Sequence, residues 1–104
     1  MKASDLMIRC LEEEGVERIY GVPGEENADF MISLINSHIE FILCRHEQAA
    51  AFMADAYGRL TGKAGVCLGT LGPGVTNLLT GIADGNMDRA PVVAIIGQGS
   101  TKRL

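Results

Sequence analysis

The chain has 104 residues, 47% of them hydrophobic and 21% charged, which is ordinary for one modest globular domain and excludes a disordered or collagen-like chain. Nine Lys and Arg stand against thirteen Asp and Glu, for a net charge of −4 with no basic run, so nothing favours nucleic acid or an acidic membrane surface as a partner. Ser4 is a favourable N-cap for a first helix with Met7, Cys10 and Leu11 as its apolar stripe, Glu12 to Glu14 solvated, and Gly15 at its end. Arg18 to Val22 reads as a short strand stopped by Pro23-Gly24. A second helix covers about Glu26 to Asn36, with Ile32, Leu34 and Ile35 on its buried side. Ile39 to Cys44 is an apolar strand, and His46 to Leu60 an alanine-rich helix closed by Thr61-Gly62. Ala64 to Leu68 is a third strand. Gly72-Pro73-Gly74 turns it into a helix reaching about Met87, and Pro91 to Gly97 holds a fourth, almost unbroken apolar strand.

Strands that are apolar on both faces and alternate with helices imply a parallel sheet covered on both sides. The expected fold is therefore α/β: a doubly wound, three-layer α/β/α parallel sheet of about four strands. The uncharged stretch from Ala64 to Ala83 is long enough to raise a membrane span, but its glycines and Pro73 divide it into strand, turn and helix. No apolar signal-peptide core follows Met1. Cys10, Cys44 and Cys67 are odd in number and widely spaced, which is neither a disulfide framework nor a metal site. They are expected to be three small buried side chains in a reducing cytosol. The chain ends at Leu104, a few residues after an apolar strand, which is expected of a fragment or of a sheet completed by other residues.

In open α/β sheets, ligands bind beyond the carboxyl ends of the strands. The segments there are Pro23 to Asn27, Arg45 to Gln48, Thr70 to Gly74, and Gln98. Glu47 stands out because it follows an apolar strand and opens an apolar helix. Burial of a carboxyl favours its protonated form, which suits proton transfer at neutral pH. On the residues alone, a carboxylate stabilising a helix start through the helix dipole is the simpler explanation. Arg45 either pairs with Glu47 or faces solvent, and His46 is a helix-start residue. Gly72-Pro73-Gly74 permits close backbone approach, and the helix after it is expected to offer free N–H groups. The spacing is neither that of a P-loop nor of the dinucleotide fingerprint. Asn77, one turn on, either reaches a ligand or caps backbone. Asp84 and Asp88, four apart, read as a solvated helix end beside Arg89 rather than a metal or acid pair.

Several ordered motifs extend this reading. They are Gly21-Val22-Pro23-Gly24-Glu25-Glu26-Asn27, Arg45 to Arg59 with Glu47 at its head, Gly72-Pro73-Gly74-Val75-Thr76-Asn77-Leu78, and Pro91 to Gln98. Together they resemble the amino-terminal part of thiamine-diphosphate-dependent enzymes of the acetolactate synthase group, over nearly the whole chain. The resemblance implies a thiamine-diphosphate pyrimidine-binding domain, whose six strands run in the order 2-1-3-4-6-5. Residues 1-104 would then be a truncated domain, lacking the middle and diphosphate-binding domains and inactive alone.

The resemblance also implies the chemistry. Glu47 is the catalytic residue, hydrogen-bonded to N1′ of the cofactor's aminopyrimidine so that the thiazolium can lose its C2 proton. A 2-ketoacid such as pyruvate is decarboxylated on the cofactor and joined to a second ketoacid, giving acetolactate. Val22, Pro23 and Gly24, with Pro73, Gly74 and Asn77, are the further cofactor-binding residues it implies. Mg²⁺ is expected on a domain outside this chain, FAD is possible in the parent enzyme, and the longer chain is expected to be a cytoplasmic homodimer or homotetramer. Leu71, Val75 and Gly85 depart mildly from the family pattern. Related decarboxylases and oxidases share much of it. A non-catalytic interaction module and, on fold analogy alone, a nucleotide-binding domain are the other classes.

Overall fold

A computed structural model describes residues 1–103. In chain order the elements are helix α1 (Ala3–Glu13), strand β1 (Arg18–Gly21), a single 3-10 turn (Glu25–Asn27) and helix α2 (Ala28–Leu34). Strand β2 (Glu40–Leu43), helix α3 (Glu47–Thr61), strand β3 (Gly65–Gly69), helix α4 (Pro73–Met87) and strand β4 (Val92–Ile96) follow, with a last 3-10 turn at Thr101–Arg103. The four strands form one parallel sheet in the order β2-β1-β3-β4. This is the α/β arrangement read from the sequence. The uncharged stretch splits into β3 and the first part of α4, and no helix among the described residues is long and apolar enough to cross a membrane.

The sheet separates two apolar layers. On one face Ile19, Val66 and Leu68 pack with Ile8 of α1 and with Phe30 and Leu34 of α2. On the other, Cys67 packs with Ala50, Ala51 and Ala54 of α3 and Leu78 of α4. All five residues of β3 are buried, because β3 is a central strand covered on both faces. Alanine and glycine dominate the second layer and let helices lie close. A Cβ at Gly81 of α4 would overlap Ala51, and one at Gly65 of β3 would overlap the carbonyl of Ala54.

Several local expectations are corrected. Helix α1 is capped at Lys2 rather than Ser4, because the Asp5 carboxylate accepts the Lys2 backbone N–H at 3.0 Å. Ser4 instead shares a 2.8 Å hydrogen bond with Ser33 of α2, and Ser33 donates to Asp5 at 2.6 Å. The buried face of α1 is centred on Ile8, with Met7 and Cys10 exposed, so only two of the three cysteines are buried. In α2 the inward residues are Phe30 and Leu34, while Ile32 and Ile35 are exposed. The helix starts later than expected, after the 3-10 turn.

Asp84 and Asp88 are not simply solvated. Arg59 of α3 donates to Asp55 at 2.7 Å, to Asp88 at 2.7 Å and to Asp84 at 3.1 Å, tying α3 to the end of α4. The guanidinium holds the Asp55 carboxyl below the ordinary carboxylate range, and contact with Asp55 pushes Asp84 upward.

Candidate functional site

The chain reverses its winding between β1 and β3: β2 lies outside β1 on one side, and β4 beyond β3 on the other. The crevice beyond the carboxyl ends of β1 and β3 is therefore the expected binding position. The Val22–Gly24 loop leaves β1 there, and the Thr70–Gly72 turn leaves β3. They are joined at their root by the Val22 N–H, which donates to the Leu68 carbonyl at 3.2 Å.

Glu47 is the first residue of α3 and is buried, with 8% of its surface exposed. His46 caps the helix, its Nδ1 accepting the Gln48 N–H at 3.0 Å. That contact leaves the Glu47 side chain free to turn toward α4, where Asn77 Nδ2 donates to Glu47 Oε1 at 3.1 Å. Arg45 is exposed, so the partner of Glu47 is Asn77 and not its neighbour in sequence. The second oxygen, Oε2, lies 3.4 Å from the point a Cβ on Gly74 would occupy. The missing side chain at Gly74 thus leaves space beside a carboxyl oxygen. Glu47, Gly74 and Asn77 come together from two helices.

The α4 start differs from expectation. Gly72 has φ 64°, a conformation suited to glycine, and Pro73 takes the first helical position. The N–H groups of Gly74, Val75 and Thr76 are bonded to the carbonyls of Leu71 and Gly72 at 3.0–3.3 Å, and Pro73 has none. The free donors expected at this helix start are therefore occupied. The Val22–Gly24 loop is similar: Val22 donates to Leu68, Pro23 has no N–H, and Gly24 donates to Asn27 Oδ1 at 2.8 Å. What the loop has left to offer is carbonyl oxygen. The β1 loop therefore presents acceptors, which suits a ligand group carrying N–H hydrogens.

Val22 is half-buried and packs against the layer containing Cys44, Ala50 and Leu78. Pro23 and Pro73 are exposed in their turns. Gly24 packs against Thr70, whose side-chain atoms lie 2.8–3.0 Å from the position of a Cβ at residue 24. Thr70 in turn donates to Glu26 Oε2 at 2.7 Å, which lowers the Glu26 carboxyl below its usual range. Sequence reasoning placed Thr70, Glu26 and Asn27 at the strand ends but gave them no individual role. The available signal was a polar residue ending an otherwise apolar strand.

Comparisons with known proteins agree with this arrangement. Residues 1–104, the whole chain, match the sequence model of the family described as "Thiamine pyrophosphate enzyme, N-terminal TPP binding domain". The chain is 50% identical over all 104 residues to a probable acetolactate synthase large subunit of Methanocaldococcus jannaschii, spanning 18% of that protein. It is 46% identical over 96% of its length to the acetolactate synthase isozyme 2 large subunit of Escherichia coli, again 18% of that protein. Against an acetolactate synthase of Bacillus subtilis it is 47% identical over 92% of its length, spanning 17% of that relative. The chain thus spans under a fifth of the length of these curated relatives. With a parallel α/β sheet and a match that runs from end to end, the chain belongs to the thiamine pyrophosphate enzyme family and corresponds to its N-terminal TPP-binding domain.

Proposed function

We propose that residues 1–104 form the pyrimidine-binding part of an acetolactate synthase-like enzyme, which joins two 2-ketoacids such as pyruvate with loss of carbon dioxide. One observation carries the reading. A buried carboxyl, Glu47, has one oxygen fixed by Asn77 and the other facing the bare Gly74, at the switch point of the sheet. The residues fit an aminopyrimidine ring: a carboxyl for a ring nitrogen, and loop carbonyls for an amino group. Thiamine diphosphate, when bound, supplies a thiazolium carbon that serves as nucleophile and electron sink for decarboxylation.

The chain's own residues have distinct parts in this proposal. Glu47 Oε2 holds or accepts a proton at the ring nitrogen. Asn77 occupies Oε1, so the carboxyl cannot rotate its reactive oxygen away. Val22, Pro23 and Gly24 form one wall, and Pro73 with Gly74 the other. Ala50 and Leu78, one on each of the two helices, are fully buried in the apolar layer between those helices and the sheet. The diphosphate and its Mg²⁺ fall to a domain outside this chain, supplied by a partner subunit in a homodimer or homotetramer. FAD, if used, belongs to that longer protein, and the enzyme works in the cytoplasm.

The test is acetolactate formation from pyruvate by the full chain, with thiamine diphosphate and Mg²⁺, beside Glu47→Gln. Turnover that falls by about a hundredfold or more in the variant supports the reading, in line with loss of one general acid–base group. Carbon dioxide release without acetolactate would shift the assignment to a related decarboxylase. Unchanged turnover in Glu47→Gln would remove Glu47 from the chemistry, and no cofactor-dependent turnover by the full chain would favour a non-catalytic module.

A further inference from the structure

Beyond the Val22–Leu68 bond at their root, the two walls of the crevice are bridged by the side chain of Thr70, the first residue after β3. Its Cβ, Oγ1 and Cγ2 lie 2.8, 2.9 and 3.0 Å from the Cβ position of Gly24, and its Cγ2 lies 3.2 Å from that of Gly74. The methyl group is therefore a spacer between the two glycines, one on each wall. The hydroxyl points the other way and donates to Glu26 Oε2 at 2.7 Å. Glu26 is brought there by the bare Cα of Gly97, where a Cβ would stand 2.8 Å from that of Glu26 and 3.6 Å from Thr70 Oγ1.

Threonine presents two groups of similar size, and a stiff χ1 decides which faces where. With its hydroxyl held by Glu26, the methyl faces Gly74. Released, the side chain can turn its hydroxyl to the Gly74 side, where Glu47 Oε2 also lies. That adds a polar group beside the oxygen left free for the ring and removes the spacer.

We infer that Thr70 is a positioning residue that sets the width of the crevice, and that Glu26 acts through it by fixing its rotamer. The inference rests on the reading of this crevice as the cofactor shelf. It makes an unusual demand. Valine at position 70 carries a methyl on both branches, so it needs no anchor. Thr70→Val should therefore preserve the crevice and also make it independent of Glu26. Serine keeps the hydroxyl and loses the spacer.

The experiment is calorimetric titration of thiamine diphosphate into the full chain with Mg²⁺, with thermal unfolding of each apo variant measured alongside. Glu26→Ala and Thr70→Ser are each expected to weaken cofactor binding about fivefold, the scale of one exposed hydrogen bond or methyl contact. Thr70→Val and the double variant Glu26→Ala/Thr70→Val are expected to stay within about twofold of the parent, with Tm shifts below about 2 °C throughout. A double variant as weak as Glu26→Ala overturns the inference, because Glu26 would then act on the ligand directly. Glu26→Ala binding like the parent overturns it too, as does a Tm loss in Thr70→Ser that parallels its loss of affinity. A parent protein that fails to bind the cofactor overturns the shelf reading and this inference with it, so the two failures are told apart by the parent's own titration.

Discussion

Gly81→Ala pits two rules against each other. Residue 81 lies inside α4, where alanine is favoured over glycine by about 1 kcal/mol. On helix propensity alone the variant is more stable. The packing says otherwise. A Cβ at position 81 would overlap the Ala51 Cβ and stand 2.9 Å from both the Ala51 carbonyl carbon and the Phe52 nitrogen. Comfortable carbon contacts need about 3.5–4.0 Å, so relieving the Ala51 Cβ overlap requires the helices to part by roughly 1 Å or more. The obstructing atoms are backbone and a Cβ, and no rotamer change moves them. Overpacking of this kind costs about 1–3 kcal/mol, and a rigid obstruction belongs at the upper end, which leaves a net loss of about 2 kcal/mol. For a unit of about 100 residues that is roughly 10 °C in Tm.

The same displacement reaches the site. Asn77 is four residues before Gly81 on α4, and Glu47 four before Ala51 on α3, so both lie one turn from the contact. Opening their 3.1 Å bond by most of an ångström takes it beyond hydrogen-bond range. Calorimetric Tm and cofactor affinity should therefore fall together. Gly85→Ala is the control. Its nearest neighbours are side-chain atoms of Val92 at 3.2 Å and Asp55 at 3.3 Å, which can give, and its cost should be below about 1 kcal/mol. A Gly81→Ala protein that melts above the parent would refute the close approach of α3 and α4.

Two further outcomes follow from the electrostatics and the cysteines. The Arg59 guanidinium depresses the Asp55 carboxyl, so this stabilisation is complete above the unfolded value of about 3.9 and is lost as pH falls through the lower folded value. Asp84, raised mainly by Asp55, has the opposite sign: its contribution is present at low pH and fades as pH rises through its folded value. Arg59→Met should therefore lower Tm at neutral pH and show a shallower acid limb than the parent; parallel pH profiles would mean that the interhelix ion pairs add nothing. Thiol labelling of the native protein, mapped by peptide mass, should modify Cys10 first and Cys67 last. Burial pushes the Cys67 thiol up to about 11 and Cys44 also upward, while Cys10 is exposed. Equal rates at Cys10 and Cys67 would contradict the closed centre of the sheet.

The architecture was legible because the strands carry their signature locally. Val66-Cys67-Leu68 and Val92 to Ile96 are apolar on both faces, and glycine or proline marks each boundary, so strand type and parallel winding follow from short windows. Glu47 was legible for a related reason, as a charge at the junction of an apolar strand and an apolar helix. Its partner was not. Asn77 is thirty positions away, and only the close packing of α3 on α4 makes the pair. The facing of α1 and α2 was misread because periodicity gives a stripe but not its phase. The Ser4–Ser33–Asp5 contacts, long-range in sequence, fix that phase. The free N–H groups expected at the α4 start are taken by the carbonyls of Leu71 and Gly72, a detail of turn geometry that residue types do not reveal.

The side chains that set the crevice rest on bare backbone: Gly24 and Gly74 at the contacts Thr70 makes, and Gly97 beside Glu26. Glu25 and Leu71 sit on these same loops without being part of that frame. Such a construction separates two kinds of inheritance. Substitutions at the decorating positions leave this frame in place, whereas a single methyl at Gly24 or Gly97 deforms it, because the added carbon would stand 2.8 Å from Thr70 or from Glu26.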